Sequence, residues 1–391
     1  MKVLWYSDWL IPTGLGKGSY YLVKGLIQRG FKVAVATPYM GGPPRAVDGV
    51  LVYPMMQFDP ILLGRTVVDF DPDIAVTYMP PWIPPNNQLS SLYRELGVKH
   101  MWIVPVEYDE VSVDFVAPLV GSNYIVTLTQ AGKKALDEFL PEDCTTVIPY
   151  GVDHSIYYRE NPKPKFREFR RQFIYGYVGR NMYRKDIPAM LEAFARLPLD
   201  IRDKAGFYMH TARRSTAGEV VYWPLDWLTV KYNLQGKIFY PDFVTMWQGV
   251  DEDMLRRLYC AMDCYVHASF GEGFGLPLVE AMCCGVPVVA SANTSIPEVV
   301  GDAGILVECH EDPLYTREGF VYHRVKVDKL AEAMEEVYRD EELRQRLIKR
   351  GLEKAQEFNW EKASEAVAQA IEQARKHYRI QPSHIKQRMP V

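Results

Sequence analysis

Apolar residues in this chain recur in short runs, each followed by a stretch where apolar and polar positions alternate at helical spacing. Val3–Tyr6 is the first such run and reads as a β-strand. A glycine-rich turn follows, then a helix over about Ser19–Gln28 that Gly30 stops, and Lys32–Thr37 is the next strand. Later strands are expected at Ile74–Tyr78, Met101–Val106, Tyr124–Leu128 and Thr146–Ile148. Short apolar strands alternating with helices predict a parallel sheet covered by helices on both faces.

The rhythm breaks after Pro149-Tyr-Gly-Val-Asp153, and Tyr158–Lys165 is rich in proline and charge, as linkers are. It then restarts. Strands are expected at Phe173–Val178, Gly206–His210, Lys237–Tyr240, Cys264–Ala268 and Pro287–Ala290, with helices at Ile187–Ala195, Leu255–Ala261 and Pro277–Cys284. Helices dominate from Val327 onward. The fold class this predicts is α/β, with two Rossmann-like domains facing each other across a cleft: an N-terminal domain over residues 1–155, a linker over 156–172 and a C-terminal domain over 173–360. Residues 381–391, basic and proline-containing, read as a tail. Open α/β sheets bind ligands at the C-terminal ends of their strands, so the cleft is the expected active site.

Composition narrows the function classes. A chain of 391 residues accommodates about two domains. With 48% hydrophobic and 24% charged residues and a formal net charge of -4, there is no global attraction to nucleic acid. One local basic stretch, Lys163-Pro-Lys165-Phe-Arg167-Glu-Phe-Arg170-Arg171, reads as a solvated face near the linker. No apolar run approaches the ~20 residues of a membrane span, and the N-terminus lacks the apolar core of a signal peptide. The six cysteines form no Cys-x-x-Cys pair, so neither a zinc site nor a disulfide framework is expected and a cytoplasmic location is the default.

The most informative segment is Ser269-Phe-Gly-Glu272-Gly273-Phe274-Gly275-Leu276-Pro277-Leu-Val-Glu280. A strand ends just before it, and Pro277 suits a first helical turn. The helix therefore starts near Phe274–Leu276, where free backbone N–H groups and the helix dipole favour a phosphate. Gly273 and Gly275 permit close backbone approach. Glu272 precedes the helix, and Glu280 lies about 6 Å along it. Carboxylates would repel a phosphate but accept strong hydrogen bonds from neutral hydroxyls. A phosphate flanked by two polyols satisfies this pattern, and a nucleoside diphosphate sugar has that form. Glu280 sits among apolar neighbours, and a buried acid needs a partner.

This segment resembles the paired-glutamate motif of the family-four retaining glycosyltransferases, which have the GT-B fold: the two glutamates are separated by seven residues. Gly285-Val-Pro-Val-Val-Ala-Ser291 and Ile296-Pro-Glu298-Val-Val-Gly-Asp-Ala-Gly304 match the same family. The resemblance is strong over about 150–360 and weaker before it. It also bears on Tyr177-Val-Gly179-Arg180-Asn-Met-Tyr-Arg184-Lys185-Asp186. Family members carry a Gly-Arg followed by Lys five residues after the Arg, and Gly179, Arg180 and Lys185 fit. By that similarity Arg180 and Lys185 contact the donor diphosphate. Asp186 stands where many members have Gly, and Arg184 is additional.

The resemblance further implies that Gly14 and Gly16, in Gly14-Leu-Gly16-Lys17-Gly18-Ser19, lie near the donor phosphate and sugar. The residues themselves exclude a P-loop, since Gly rather than Ser or Thr follows Lys17, and a dinucleotide fingerprint, since Ser19 replaces its third Gly. Glu107, at the end of an apolar strand, occupies about the position where members place a His or Asp near the reacting sugar. The GT-B resemblance also implies that a C-terminal helix over about 361–380 returns to the N-terminal domain. His210 and the Tyr150–Asp153 turn are read as structural.

The expected activity is transfer of a hexosyl group from a nucleoside diphosphate sugar, with anomeric retention implied by the resemblance alone. The leaving diphosphate would be stabilised by Arg180, Lys185 and the backbone around Phe274–Leu276, with Glu272 on the sugar and Glu280 on the ribose. No metal and no cofactor are expected. Asp71-Pro-Asp73 and Asp251-Glu-Asp253 read as solvated turns rather than metal ligands. The acceptor class stays open between a saccharide, a lipid-linked sugar and a small molecule, with peripheral contact at the inner membrane face compatible. The alternatives are a GT-B sugar-nucleotide epimerase and a sugar phosphorylase or synthase.

Overall fold

The structure is a computed structural model that describes residues 1–56, 58–83, 86–166, 171–214, 222–245 and 248–386. Arg167 to Arg170 of the basic stretch and residues 387–391 of the expected tail therefore lie outside the described residues. The chain divides into two compact units. One comprises Met1–Gly151, Thr316–Phe320 and Trp360–Val391; the other comprises Val152–Tyr315 and Val321–Asn359.

The first unit is built on eight strands: β1 (Lys2–Tyr6), β2 (Lys32–Thr37), β3 (Arg45–Val47), β4 (Val50–Pro54), β5 (Ile74–Tyr78), β6 (Lys99–Val104), β7 (Tyr124–Thr127) and β8 (Thr145–Val147). Their order is β3-β4-β2-β1-β5-β6-β7-β8. Every pair is parallel except β3 with β4. The parallel strands are almost wholly buried, as a sheet covered on both faces requires. The hairpin β3–β4 is an addition to the sequence-based expectation. It turns on Asp48 and Gly49, both with positive φ (50° and 74°), the backbone that an Asp-Gly pair favours in a two-residue hairpin.

Glycines decide how the first unit's helices pack. The helix after β1 spans Gly14–Gln28, so the expected glycine-rich turn is already helical. Thr13 caps it, its hydroxyl accepting from the Gly16 amide at 3.0 Å. A Cβ on Gly16 would stand 2.2 Å from the Ile11 carbonyl oxygen, so the folded-back chain before the helix excludes any side chain there. Ser19 links the Trp5 indole (3.2 Å) to the Ser7 hydroxyl (2.8 Å), which donates to the Tyr78 carbonyl at 2.7 Å. This polar chain bridges the ends of β1 and β5, where the strand order reverses. Further along, Gly25 meets the C-terminal helix Trp360–Lys376 at Ser364, and Tyr21 stacks on Trp360 with ring centroids 5.1 Å apart.

The second unit holds six parallel strands: β9 (Phe173–Val178), β10 (Ala205–His210), β11 (Ile238–Phe239), β12 (Cys264–His267), β13 (Val288–Ser291) and β14 (Gly304–Val307). Their order, β11-β10-β9-β12-β13-β14, is the doubly wound Rossmann order. The strand order reverses between β9 and β12. Each of these strands leads through a tight turn into a helix, Ile187–Arg196 after β9 and Leu276–Cys283 after β12. A two-stranded hairpin, β15 (Leu314–Tyr315) with β16 (Val321–Tyr322), follows the sheet.

Two interior helix glycines make opposite predictions. Gly64, in the helix Pro60–Phe70, has nothing within 4 Å of an added Cβ. Gly64→Ala is expected to stabilise the chain by about 0.5–1 kcal/mol. In Gly25→Ala the new Cβ falls 2.4 Å from the Ser364 side chain, and a net destabilisation of about 1–3 kcal/mol is expected. Chemical denaturation midpoints measure both, and equal shifts would show that the approach to Ser364 is not tight.

Candidate functional site

The site lies at the point in the second unit where the strand order reverses, on the two turns that leave β9 and β12. The first turn is Gly179–Asp186. Asn181, buried, fixes it: its side-chain amide donates to the Ala212 (3.2 Å) and Trp223 (2.9 Å) carbonyls and accepts from the Trp223 amide (2.8 Å). A Cβ on Gly179 would meet the Tyr177 hydroxyl at 2.4 Å. The turn closes on Asp186 with φ 38° and ψ 50°, the left-handed backbone that favours glycine. Here the buried Asp186 carboxylate is held by the Arg324 guanidinium, Nε at 2.7 Å. Burial pushes the Asp186 carboxyl up and Arg324 opposes it.

The second turn, Ser269–Gly275, is stitched to the first. The Phe270 amide donates to the Arg184 carbonyl (2.7 Å), and the Tyr183 and Phe270 rings meet edge to face at 5.2 Å. A third segment, Asn293–Ser295, supports it from below. Asn293 donates to the Ser269 carbonyl (3.1 Å), the Glu272 amide donates to Thr294 Oγ1 (2.9 Å), and Ser295 Oγ donates to the Glu272 carbonyl (2.7 Å). Gly275, at φ 94°, caps the helix Leu276–Cys283 with backbone alone; no side chain caps that helix. The helix begins where the sequence places it, with Pro277 in its first turn.

Glu272 is the centre of this arrangement. It is buried, and its Oε1 takes the Lys185 ammonium, the His267 ring at 2.8 Å and the Ser269 hydroxyl at 2.7 Å. Its Oε2 takes Arg184 Nη1 at 2.8 Å, and the same Nη1 donates to the Gly271 carbonyl at 2.9 Å. Burial alone would push the carboxyl up; Arg184, Lys185 and His267 outweigh it and hold it well below the ordinary carboxylate range. His267 itself is pushed below its ordinary value by burial, against the opposing pull of Glu272.

Glu280 is buried too. Its Oε2 accepts from the Tyr259 hydroxyl at 2.8 Å, so the partner that a buried acid needs is supplied in part by the protein. Tyr259, buried at the end of the helix Glu252–Cys260, is held protonated by burial and by the Glu280 charge.

The sequence-predicted residues thus separate into two groups. Gly179, Arg180, Lys185, Glu272, Gly273, Phe274, Gly275, Leu276 and Glu280 all belong to the second unit, on the turns after β9 and β12 and the helix Leu276–Cys283. Gly14, Gly16 and Glu107 belong to the first unit; Glu107 stands three residues beyond β6, partly exposed. His210 ends β10 with Nδ1 on the Tyr208 hydroxyl at 2.8 Å, and burial lowers it to about 4, a neutral structural histidine.

The sequence-based reading left out His267, Ser269, Tyr259 and the Asn293–Ser295 support. A signal existed for the first two: Tyr265, His267 and Ser269 alternate at strand spacing, so they share one face. Among the described residues, no three His, Cys, Asp or Glu side chains are grouped to hold a metal. Asp251 caps a helix, accepting from the Met254 amide at 2.7 Å; Asp253 pairs with Arg256, and Asp73 accepts from the Lys2 amide. The six cysteines are free, and no helix among the described residues is long and apolar enough to cross a membrane.

The depressed Glu272 carboxyl carries a pH consequence. Its stabilising effect is present above the unfolded carboxylate value, near 4.5, and is lost as the pH falls toward the lower folded value. Glu272→Gln is expected to flatten that part of the acid limb of stability. Glu272→Ala, which strands the buried Lys185 ammonium and the partly buried Arg184 guanidinium, is expected to cost about 3–5 kcal/mol at neutral pH. Denaturation curves from pH 3 to pH 7 measure both, and identical acid limbs in wild type and Glu272→Gln would refute the assignment.

Residues 226–354 match the family model for glycosyl transferases group 1. Over 185 residues the chain is 35% identical to the O-antigen chain mannosyltransferase B of Escherichia coli, covering 47% of this chain and 42% of that protein. Over 150 residues it is 31% identical to a D-inositol 3-phosphate glycosyltransferase of Streptomyces bingchenggensis, covering 38% and 30%. The chain thus spans less than half the length of these curated relatives. Among solved structures it resembles the sucrose-phosphate synthase of Thermosynechococcus elongatus, with a TM-score of 0.75 at 18% identity over 95% of this chain and 98% of that one. It also resembles Anabaena HepE in complex with UDP-glucose, with a TM-score of 0.71 at 16% identity over 95% and 99%. The expected fold class holds: the chain has the α/β architecture of the GT-B glycosyltransferases, and residues 226–354, which match the glycosyl transferases group 1 model, lie mostly in its second unit.

Proposed function

We propose that the chain is a retaining hexosyltransferase of family four that moves a hexose from a nucleoside diphosphate sugar to an acceptor without a metal ion. One observation carries the reading. Two cations, a buried carboxylate and the start of a helix without a side-chain cap converge where the strand order reverses, and the carboxylate and the helix start lie within the matched residues 226–354. That is where an α/β sheet binds its ligand.

In this reading the diphosphate lies against Arg180, Lys185 and the backbone at Phe274–Leu276. Negative charge grows on it as the anomeric C–O bond breaks, and fixed cations and amide dipoles stabilise that charge without reorganising. Those positive groups do the work that a divalent cation would otherwise do. Glu272 accepts from hexose hydroxyls. Glu280, oriented through Oε2 by Tyr259, accepts from the ribose. Gly14, Gly16 and Glu107 of the first unit serve the donor sugar and the acceptor. The mannosyltransferase name of the Escherichia coli relative and the UDP-glucose complex of HepE support a nucleotide-sugar donor and a hexosyl group. A saccharide or lipid-linked acceptor fits the same reading, with the protein in the cytoplasm or at the inner membrane face.

The test is a panel of GDP-mannose, UDP-glucose and their free nucleotides, scored by thermal stabilisation and donor turnover. A donor that binds only the native chain raises its apparent stability. Glu280→Ala is expected to weaken nucleotide binding about tenfold or more. Lys185→Ala is expected to slow donor turnover about 100-fold. No stabilisation by any member of the panel, or unchanged binding and turnover in both variants, would overturn the reading.

A further inference from the structure

We infer that Arg184 is a positioning residue that keeps Glu272 charge-compensated, so that Lys185 can leave this carboxylate for the donor diphosphate. The inference rests on the donor-site reading above and assigns a role to a residue which that reading does not use.

The geometry separates the two cations. Lys185 reaches Glu272 Oε1, the oxygen also taken by His267 and Ser269. Arg184 takes the other oxygen, Oε2, and the same Nη1 is tied to the Gly271 carbonyl, one residue away on the same turn. Its backbone carbonyl is bound as well, by the Phe270 amide. Arg184 is therefore fixed to the Glu272 turn at three points, whereas Lys185 is a point charge on a flexible stem. A diphosphate carries more negative charge than one carboxylate and draws the movable cation.

If Lys185 moved away and Glu272 were left alone, a buried carboxylate would be unpaired and close to an incoming anion. That state is costly. With Arg184 on Oε2, and His267 and Ser269 still on Oε1, the carboxylate stays satisfied. It stays in place to accept a hexose hydroxyl. The asymmetry between a pinned guanidinium and a mobile ammonium thus divides one charge cluster into a fixed half and a transferable half.

A double-mutant cycle tests this, with GDP and UDP as probes and titration calorimetry as the readout. Arg184→Gln is expected to weaken binding of the nucleotide diphosphate about tenfold, because Lys185 then becomes the sole cation on Glu272. Arg184→Lys, which restores the charge, is expected to return affinity to within about threefold of wild type. In the Glu272→Gln background no carboxylate remains to hold Lys185, and adding Arg184→Gln is expected to change affinity by less than about twofold. Circular dichroism of each variant identifies any that fail to fold, and Arg184→Lys then carries the test. An equal loss from Arg184→Gln in both backgrounds would mean that Arg184 contacts the phosphate directly, and no loss in either would mean that it has no part in binding; each overturns the inference. Lys185→Ala separates the two levels: if it leaves both nucleotide affinity and donor turnover intact, the donor-site reading itself fails, whatever Arg184 does.

Discussion

A carboxylate buried between two cations is the constraint on which the rest of this site depends. An ionised Glu272 in that position needs a cation beside it, which Arg184 and Lys185 supply, and the buried Lys185 ammonium is in turn compensated by Glu272. Each therefore requires the turns after β9 and β12 to stand in one register. Much of the local structure serves that end: the Phe270–Arg184 backbone bond and the Tyr183–Phe270 ring contact fix one turn against the other, and the Asn181 clamp fixes the first turn to Ala212 and Trp223, beyond β10.

Two backbone positions show how the demand is met. Gly275 adopts a positive φ so that the chain can leave Glu272 and enter the helix toward Glu280 directly. Asp186 adopts the same kind of backbone without being glycine, and its buried carboxylate is compensated by Arg324 from beyond the hairpin β15–β16. That pairing fixes the residue immediately after Lys185. The departure from glycine at 186 is thus accompanied by a cation supplied from a distant part of the chain, a coupling that sequence spacing does not reveal.

Much of the fold was legible in sequence because parallel strands are buried on both faces and read as short apolar runs. Ile74–Tyr78 and Phe173–Val178 were bounded to the residue on that basis. The hairpin at 45–54 was missed because its outer strand is exposed and only three residues long, leaving the Asp48-Gly49 turn as the one clear signal. The segment Gly14–Ser19 reads in sequence as a glycine-rich turn ahead of the helix. In the structure Gly16 lies inside the helix, and close approach to Ile11 is what excludes a side chain. Within the site, the start of the helix at Leu276 and the burial of Glu280 followed from Pro277 and from apolar neighbours. The pairing of Arg184 and Lys185 with Glu272, and of Tyr259 with Glu280, did not follow. These partners come from turns and helices whose juxtaposition depends on strand order, which no local pattern encodes.

In the proposed function, hexose recognition and diphosphate binding share one charge cluster with a movable member. A crystal structure of the chain with the nucleoside diphosphate hexose that stabilises it best, GDP-mannose or UDP-glucose, tests this most directly. The expected result is Lys185 Nζ on a diphosphate oxygen, Arg184 still on Glu272 Oε2, and a hexose hydroxyl within hydrogen-bond distance of Glu272. A donor bound away from these turns, with Lys185 still paired to Glu272, would contradict it.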